Sequence, residues 1–443
     1  MEHKEISILG AGLVGSLLAA LLSQKGFGVD VFEMRGDPRS RKIGEGRSIN
    51  LALSHRGITA LKRAGVFEKI EPALIPMMGR MIHDLKGNLN FQSYGRASQH
   101  INSVSRSGLN NILIDHAESH GVNFHFGHKC SQVDLESMVM DFDDSSVRSV
   151  SSEVLIGADG AFSMLRRALE KTDRFNFHQH YIEHGYKELH IPAVNGTFAM
   201  EPNNLHIWPR GSFMLIALPN PDCSFTCTLF FPFEGDLSFD SLKDDASVLQ
   251  FFETYFQDVL PLIPDLVAQF QTNPTASLVT IKTSPWVKNR SLLIGDASHA
   301  IVPFYGQGMN AGFEDCRLFM EWGEKLKFDW DKLLPYFSKH RKADADAIAD
   351  LAMKNFVEMR DKVADERFVA IKKLESRLQE AYPDSWIPLY SMVTFSDIPY
   401  SKAKKLGELQ EQIMRALPDD FDPMSHPLVP IIESFNALKK DVL

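Results

Sequence analysis

Two glycine-bearing segments, far apart in the chain, limit its fold more than any other feature. The first is Gly10-Ala-Gly12-Leu-Val-Gly15, directly after the apolar run Ile6-Ser-Ile-Leu9. The second runs Gly295-Asp296-Ala-Ser-His-Ala-Ile-Val-Pro-Phe-Tyr-Gly306-Gln-Gly308-Met309-Asn310, after the short apolar strand Ser291 to Ile294. Each reads as a strand, a tight turn and a helix start. In the first, Gly10 permits the turn, Gly12 lets the backbone approach a pyrophosphate, and Gly15 lets the helix, residues 13–25, pack on the strand. A second strand, Val29-Asp-Val-Phe32, ends at Glu33, the spacing expected of an acid that binds ribose hydroxyls. In the second segment, an acid at a strand end and a glycine loop opening a helix near Met309 make a holder for a polar, anionic group. Two separated halves of one dinucleotide site require a discontinuous cofactor domain.

The choice of dinucleotide follows. Glu33 disfavours a 2′-phosphate, so NADP is not the ligand of this fold. A split site of this kind points to FAD, and no Cys or His lies in an evident flavinylation context, so FAD is expected to bind tightly and non-covalently. Asp296 can accept from ribityl hydroxyls, and the helix from Gly308-Met309-Asn310 aims its positive end at the flavin pyrimidine edge. Asp159-Gly160, after Val154-Leu-Ile-Gly-Ala, is either a simple strand-end turn or a third cofactor-binding acid with Arg166 and Arg167 behind it; the two other motifs favour the second reading. Neither Gly26-x-Gly28 nor Gly306-x-Gly308 forms a second strand–GxGxxG–helix unit, so a nicotinamide reductant, if used, binds transiently on the flavin domain.

A chain of 443 residues holds two or three domains, and 44% hydrophobic content fits a globular protein. The net charge of −10 argues against nucleic acid and against a polybasic membrane surface. Cys130, Cys223, Cys227 and Cys316 form no CxxC pair, no secretory signal precedes the first strand, and no apolar run reaches the roughly 18 residues of a membrane span. These features predict a cytoplasmic protein with reduced thiols. His299 has no second ligand at i+3 or i+4, so no metal is expected. Residues 1–75, 106–175 and 275–330 are assigned to the FAD-binding domain, 76–105 and 176–274 to a substrate-domain sheet, and 331–443 to a helical C-terminal region. Strands are expected at Tyr186 to Ile191, Thr197 to Met200, Leu205 to Trp208, Phe213 to Leu218 and Ser224 to Phe231; helices are expected at Leu333 to His340, Ala343 to Lys362 and Arg367 to Glu380. The fold class is thus α/β: a discontinuous Rossmann-like domain, a mainly antiparallel sheet and C-terminal helices.

Outside the cofactor motifs the residues leave alternatives open. Arg80, in Gly79-Arg-Met-Ile-His83, is either a sheet-edge surface arginine or a bidentate clamp for a carboxylate. Tyr94 is a half-buried core tyrosine or a hydroxyl partner of that carboxylate. Asn355, Glu358 and Met359 share a helix face, solvated or functional. Tyr390 lies in the uncharged segment Ile387 to Phe395, where core packing is the default. No Ser-His-Asp order, phosphate-loop lysine or HExxH is present. No side chain is assigned as a general acid or base, and the cofactor carries the chemistry.

The three motifs, in order and spacing, resemble the single-component aromatic hydroxylases of the p-hydroxybenzoate hydroxylase type. Gly46-Arg-Ser-Ile-Asn-Leu-Ala-Leu-Ser54, Gly79 to His83, His184-Gly-Tyr-Lys-Glu-Leu189, Glu201-Pro-Asn-Asn-Leu-His-Ile-Trp-Pro209, Val302 to Asn310 and Tyr390-Ser-Met-Val-Thr-Phe395 resemble, within them, the kynurenine 3-monooxygenase family. The resemblance implies an enzyme that uses FAD, NADPH and O2 to hydroxylate L-kynurenine to 3-hydroxykynurenine through a flavin hydroperoxide, in a site that excludes water. It implies that Arg80, Tyr94, Asn355 and Tyr390 hold the amino-acid end of the substrate, with Glu358 and Met359 behind them. Phe304 and Tyr305 would face ring and flavin, and Arg106 and Asp296 would contact FAD. Tyr305 stands where relatives vary, and the tail after 400 lacks the hydrophobic anchor of membrane-bound eukaryotic forms. The alternatives are another flavin aromatic hydroxylase or a non-catalytic flavin-fold protein like the GDP-dissociation inhibitors. A halogenase is disfavoured because Trp386-Ile-Pro388 lacks the earlier tryptophan of W-x-W-x-I-P. A homodimer stays open.

Overall fold

The computed structural model describes residues 2–40, 50–96, 99–143, 148–361 and 366–440, and only the backbone of residues 2 and 359–361. Two compact units make up the chain. The first comprises Met1–Leu74, Val104–Tyr181 and Val279–Ala349; the second comprises Ile75–Ser103, Ile182–Leu278 and Asp350–Leu443.

In the first unit the strand Glu2–Leu9 lies at the centre of a parallel sheet. Ser149–Gly157 and then Ser291–Leu293 flank it on one side, Val29–Glu33 and then Asn123–Phe126 on the other. Ile6, Ile8, Val31, Leu155 and Ile156 have no solvent exposure. Such buried, mainly apolar strand interiors are what a parallel sheet covered on both faces needs. Helix Leu13–Ser23 is buried along almost its whole length, and helix Arg106–Ser119 packs against it. Because the five strands run parallel, Leu9, Glu33, Gly157 and Leu293 all end on one edge of the sheet. The turns that follow them carry the cofactor motifs, and in open α/β sheets that edge is where ligands bind.

A seven-stranded, mainly antiparallel sheet, most of whose residues belong to the second unit, runs in the order Thr275–Ser284, Asn176–Ile191, Phe225–Pro232, Met214–Pro219, Asn204–Pro209, Gly79–His83 and Leu89–Ser93. One pair, Asn204–Pro209 with Gly79–His83, is parallel. Leu189, Trp208, Leu215, Phe225 and Phe231 from the sheet pack with Phe251, Phe252 and Phe256 from helix Asp245–Tyr255 and its C-terminal end. Helices Glu366–Ala381, Leu389–Thr394, Tyr400–Arg415 and Val429–Lys439 complete the second unit.

Two local expectations fail, and one element has no forerunner in the sequence. Thr197 to Met200 is not a strand: Asn195 and Gly196, both at positive φ, turn the chain back so that Val194 and Thr197 form a single bridge. The two helices expected between Leu333 and Lys362 are one, Trp330–Asp361: Arg341 pairs with Glu314 of helix Gly308–Lys325 and Lys342 with Asp346 one turn on, so the charged stretch does not break the helix. A hairpin, Lys129–Asp134 with Val139–Asp143, adds antiparallel to Ser149–Gly157 and has no counterpart in the sequence reading. Of the block Gly46 to Ser54, the part up to Ile49 lies outside the described residues. Among the described residues, no helix is long and apolar enough to cross a membrane, and no group of His, Cys, Asp and Glu is arranged to hold a metal.

Candidate active site

The cofactor motifs assemble at the sheet edge of the first unit. Gly10 has φ +99°, and a Cβ there would fall 2.5 Å from the Ala158 carbonyl oxygen. A Cβ on Gly15 would fall 2.0 Å from the Gly10 oxygen. Both glycines are therefore demanded by close packing. Gly12 differs: a Cβ there would meet nothing within 4 Å. It precedes helix Leu13–Ser23, whose N-terminus has no side-chain cap. Open space before uncapped N–H groups fits an anionic pyrophosphate. Glu33 bends over this loop, its Oε2 accepting from the Ala11 N–H at 3.0 Å and its Oε1 from the Arg35 N–H at 2.9 Å.

Asp159 accepts from the Met164 N–H at 2.6 Å through Oδ2, while Oδ1 is buried without a hydrogen-bond partner. Burial pushes its carboxyl above the ordinary range, although hydrogen bonds from Ser163 and Met164 oppose the rise. An orphaned acceptor beside the glycine loop is what a ligand hydroxyl would satisfy. Of the arginine pair behind it, one member is committed to the fold. Arg166 is buried, donating to the carbonyls of Ala297 at 3.0 Å and Ala161 at 2.7 Å, so it ties the Asp159 turn to the Asp296 turn. Arg167 is exposed.

Gly295 has φ +60° and Asp296 opens the short helix Asp296–His299. The Asp296 side chain reaches solvent. The surrounding protein nevertheless pushes its carboxyl up, and His299 and Arg106 act in the opposite direction. Arg106, exposed at the start of helix Arg106–Ser119, is thus close enough to act on Asp296. Gly306 is left-handed at φ +66°, and helix Gly308–Lys325 begins two residues later, with Met309 half-buried. The Asn310 amide is used by the fold: it donates to the Ala52 and Gly306 carbonyls, both at 2.8 Å, and accepts from the Ser54 N–H at 2.9 Å. Asn310 therefore offers a ligand its backbone in the first helical turn. Phe304 and Tyr305, 7% and 8% exposed, sit in the 3-10 turn Pro303–Tyr305 of this unit.

The second unit brings together three residues distant in sequence. Tyr94 follows strand Leu89–Ser93, its N–H donating to the Met78 carbonyl at 3.4 Å. Tyr390 lies in helix Leu389–Thr394. Their rings stack, centroids 5.3 Å apart and planes within 11°. The Arg80 guanidinium carbon lies 5.4 Å from the Tyr94 ring centroid and 4.9 Å from that of Tyr390. Arg80 is held by two aromatic rings, as cation–π attraction favours, and is not a free surface arginine. Burial pushes both phenols up. Asn355 is buried in helix Trp330–Asp361 and Glu358 is half-buried one turn on; the Met359 side chain lies outside the described residues.

One charged residue here escapes the sequence reading. Lys372 donates to Glu375 Oε2 at 2.8 Å. Half of the Lys372 side chain is exposed, so the lowering effect of desolvation on its ammonium is weak, and Glu375 and Glu358 raise it, with Arg80 opposing them. Arg80 and Lys372 thus face Glu358 and Glu375 as two cations and two anions. Only an i,i+3 Lys-Glu pair marked Lys372 in the sequence, a pattern shared by most exposed helices.

Known proteins align with this arrangement. A sequence family described as "FAD binding domain" matches residues 3–351. Kynurenine 3-monooxygenase of Cytophaga hutchinsonii is 49% identical over 94% of this chain and 95% of the relative. The Dictyostelium discoideum enzyme of that name is 45% identical over 99% and 98%, and that of Sus scrofa 45% over 94% and 88%. Among solved structures, 2-methyl-3-hydroxypyridine-5-carboxylic acid oxygenase superposes with TM-score 0.66 at 16% identity, covering 82% of this chain and 94% of that one. P. aeruginosa PqsL in complex with 2-aminobenzoylacetate superposes with TM-score 0.66 at 18% identity, covering 81% and 97%. At these distances the superpositions speak for the fold alone. The sequence likeness, spanning both units at nearly half identity, shows that this chain belongs to the kynurenine 3-monooxygenase family of FAD-binding proteins.

Proposed function

We propose that this chain hydroxylates L-kynurenine to 3-hydroxykynurenine, with FAD resident and NADPH and O2 as co-substrates. The observation that carries the proposal is the Arg80 guanidinium over the stacked Tyr94 and Tyr390 rings. A planar fork of donors in that setting suits a substrate carboxylate. The two phenols are neutral at physiological pH, and burial pushes them further up, so their hydroxyls can donate to the carboxylate without repelling it. Asn355 would add an amide to the same end of the substrate, and Glu358, steadied by Lys372, would face its ammonium. Phe304 and Tyr305 would border the aromatic ring and keep water away from it.

Gly10, Gly12 and Gly15 with helix Leu13–Ser23 would hold the pyrophosphate, and Glu33 and Asp159 the hydroxyls nearby. Arg106, Asp296, Gly306, Gly308, Met309 and Asn310 would hold the remainder. Bound there, FAD would supply the redox chemistry between NADPH and O2. No side-chain base is assigned to the ring chemistry, because the ring amine of the substrate supplies the electrons. The acidic charge of the chain and its unpaired cysteines support a cytoplasmic enzyme without nucleic acid or membrane among its partners.

The test is direct. FAD-replete protein is supplied with NADPH, air and L-kynurenine, and the product is identified by chromatography and mass. Formation of 3-hydroxykynurenine is expected; FAD-replete protein that consumes no L-kynurenine would overturn the proposal.

A further inference from the structure

Next to the Gly295-Asp296 turn lie five charged or titratable side chains with almost no solvent contact. Arg56 and Asp315 are 0% exposed, Arg341 1%, Glu314 2% and His299 3%. They come from helices His55–Arg63, Gly308–Lys325 and Trp330–Asp361 and from the short helix Asp296–His299. Asp315 is the hub. Its Oδ2 accepts from the Gly295 N–H at 3.1 Å and from His299 Nε2 at 2.6 Å. Its Oδ1 accepts from Arg341 Nε at 2.7 Å. Arg341 also donates to the Ala311 carbonyl at 3.2 Å and pairs with Glu314 at 2.8 Å; Glu314 in turn pairs with Arg56.

Burying several charges is expensive, and such a network seldom stabilises a fold more than apolar packing would. Its use is to fix position. Gly295 has φ +60° and ψ −143°, a conformation open mainly to glycine. Its N–H and the His299 ring converge on one carboxylate oxygen, and Asp296 lies between these two anchors. Through Arg341 and Ala311 the same carboxylate is tied to the first turns of helix Gly308–Lys325. Asp315 therefore joins the acid at the strand end to the helix that follows the glycine loop. Burial tends to raise the Asp315 carboxyl, but His299 and Arg341 together hold it below its ordinary range, so the hub keeps its negative charge.

We propose that Asp315, supported by Arg341, is a positioning residue for the flavin: it holds Asp296 and the N-terminal end of helix Gly308–Lys325 in one fixed relation. This rests on FAD binding at Gly295 to Asn310, as proposed above. Asp315 is itself wholly buried and has no surface for a ligand, so its effect on FAD is transmitted through the backbone it holds.

The test compares affinity and potential. Apoprotein of wild type and Asp315→Asn is titrated with FAD by fluorescence quenching, and the midpoint potential of the bound flavin is measured. Asp315→Asn should weaken FAD binding at least about tenfold and shift the potential, with circular dichroism of the folded protein unchanged. Arg341→Lys, which keeps a charged donor to Oδ1, should recover most of the affinity that Arg341→Gln loses. If Asp315→Asn does not fold, the Arg341 pair decides by the same comparison. Variants that lose thermal stability but bind FAD with wild-type affinity and potential would assign the network to the fold and overturn the inference. Asp296→Ala separates the two claims: unchanged FAD affinity in that variant would defeat the binding site itself. Reduced affinity there, with Asp315 and Arg341 variants unaffected, would defeat only the positioning role.

Discussion

Replacing Arg80 with alanine removes the group on which substrate recognition is proposed to depend. The guanidinium carbon lies 4.9 Å and 5.4 Å from two ring centroids, on a half-buried strand. Its conformation is therefore largely set before a ligand arrives, and little rotamer entropy remains to be lost on binding. Truncating one partner of a buried, charge-assisted pair costs about 2–5 kcal/mol. Arg80 is only half-buried and Lys372 supplies a second cation to the same charge cluster, so the lower part of that range, about 2–3 kcal/mol, applies. The dissociation constant for L-kynurenine should rise roughly 30- to 150-fold. Arg80→Lys keeps the charge but loses the planar fork, and should fall between wild type and alanine. The assay is calorimetric titration of FAD-replete protein with L-kynurenine, with FAD content measured on the same samples. An Arg80→Ala variant that keeps FAD and binds L-kynurenine within about threefold of wild type would refute the clamp.

Three further outcomes are expected. Gly12→Asp should fold, because a Cβ there meets nothing within 4 Å, yet purify without FAD because its carboxylate repels the pyrophosphate; stoichiometric FAD in this variant would remove the site assignment. His206 is buried, and burial, reinforced by nearby His83, pushes its imidazole down to about 4 against the opposing Glu201 carbonyl and Asp258. The unfolded chain takes up that proton first, so stability is complete above the ordinary value of 6.5 and falls as pH drops towards 4, by up to about 3 kcal/mol. Urea unfolding near neutral pH and in mild acid should show the fall, and His206→Gln should reduce it; an equal fall in both proteins would assign it elsewhere. Finally, NADPH oxidation should be at least roughly tenfold faster with L-kynurenine than without, since a substrate that contacts two states differently shifts their populations. Equal rates in a stopped-flow comparison would exclude substrate gating.

The parallel sheet of the first unit was legible because its central strands end in short, buried and mainly apolar stretches, Ile6 to Leu9, Val29 to Phe32 and Val154 to Ile156. The hairpin Lys129–Asp134 and Val139–Asp143 was not, since its polar, partly exposed strands carry little apolar signal and gain their place from the edge of Ser149–Gly157. Thr197 to Met200 failed for the converse reason. Its composition suits a strand, but strand propensity yields to a turn whose residues, Asn195 and Gly196, tolerate positive φ.

Within the site, legibility followed the kind of constraint. Gly10, Gly15 and Gly295 stood out because a backbone at positive φ or within about 3 Å of a neighbour admits almost no other residue. Arg80, Tyr94 and Tyr390 were chemically plausible but ambiguous from the residues alone, because nothing local says that three distant positions share one place. Asp315 and Arg341 left still less trace. Glu314, Asp315 and Arg317 on one helix, and Arg341 with Asp344 on another, look like the charged faces of ordinary solvated helices. What makes them a buried network is the cover supplied by other elements, and hydrogen-bonding demand on Gly295 and His299 that any nearby carboxylate could meet. A backbone constraint narrows the residue type and marks the sequence; a charge partnership narrows only the sign. The positions that hold the cofactor site in shape are for that reason harder to read than those proposed to touch the cofactor, and Asp315→Asn tests the harder class.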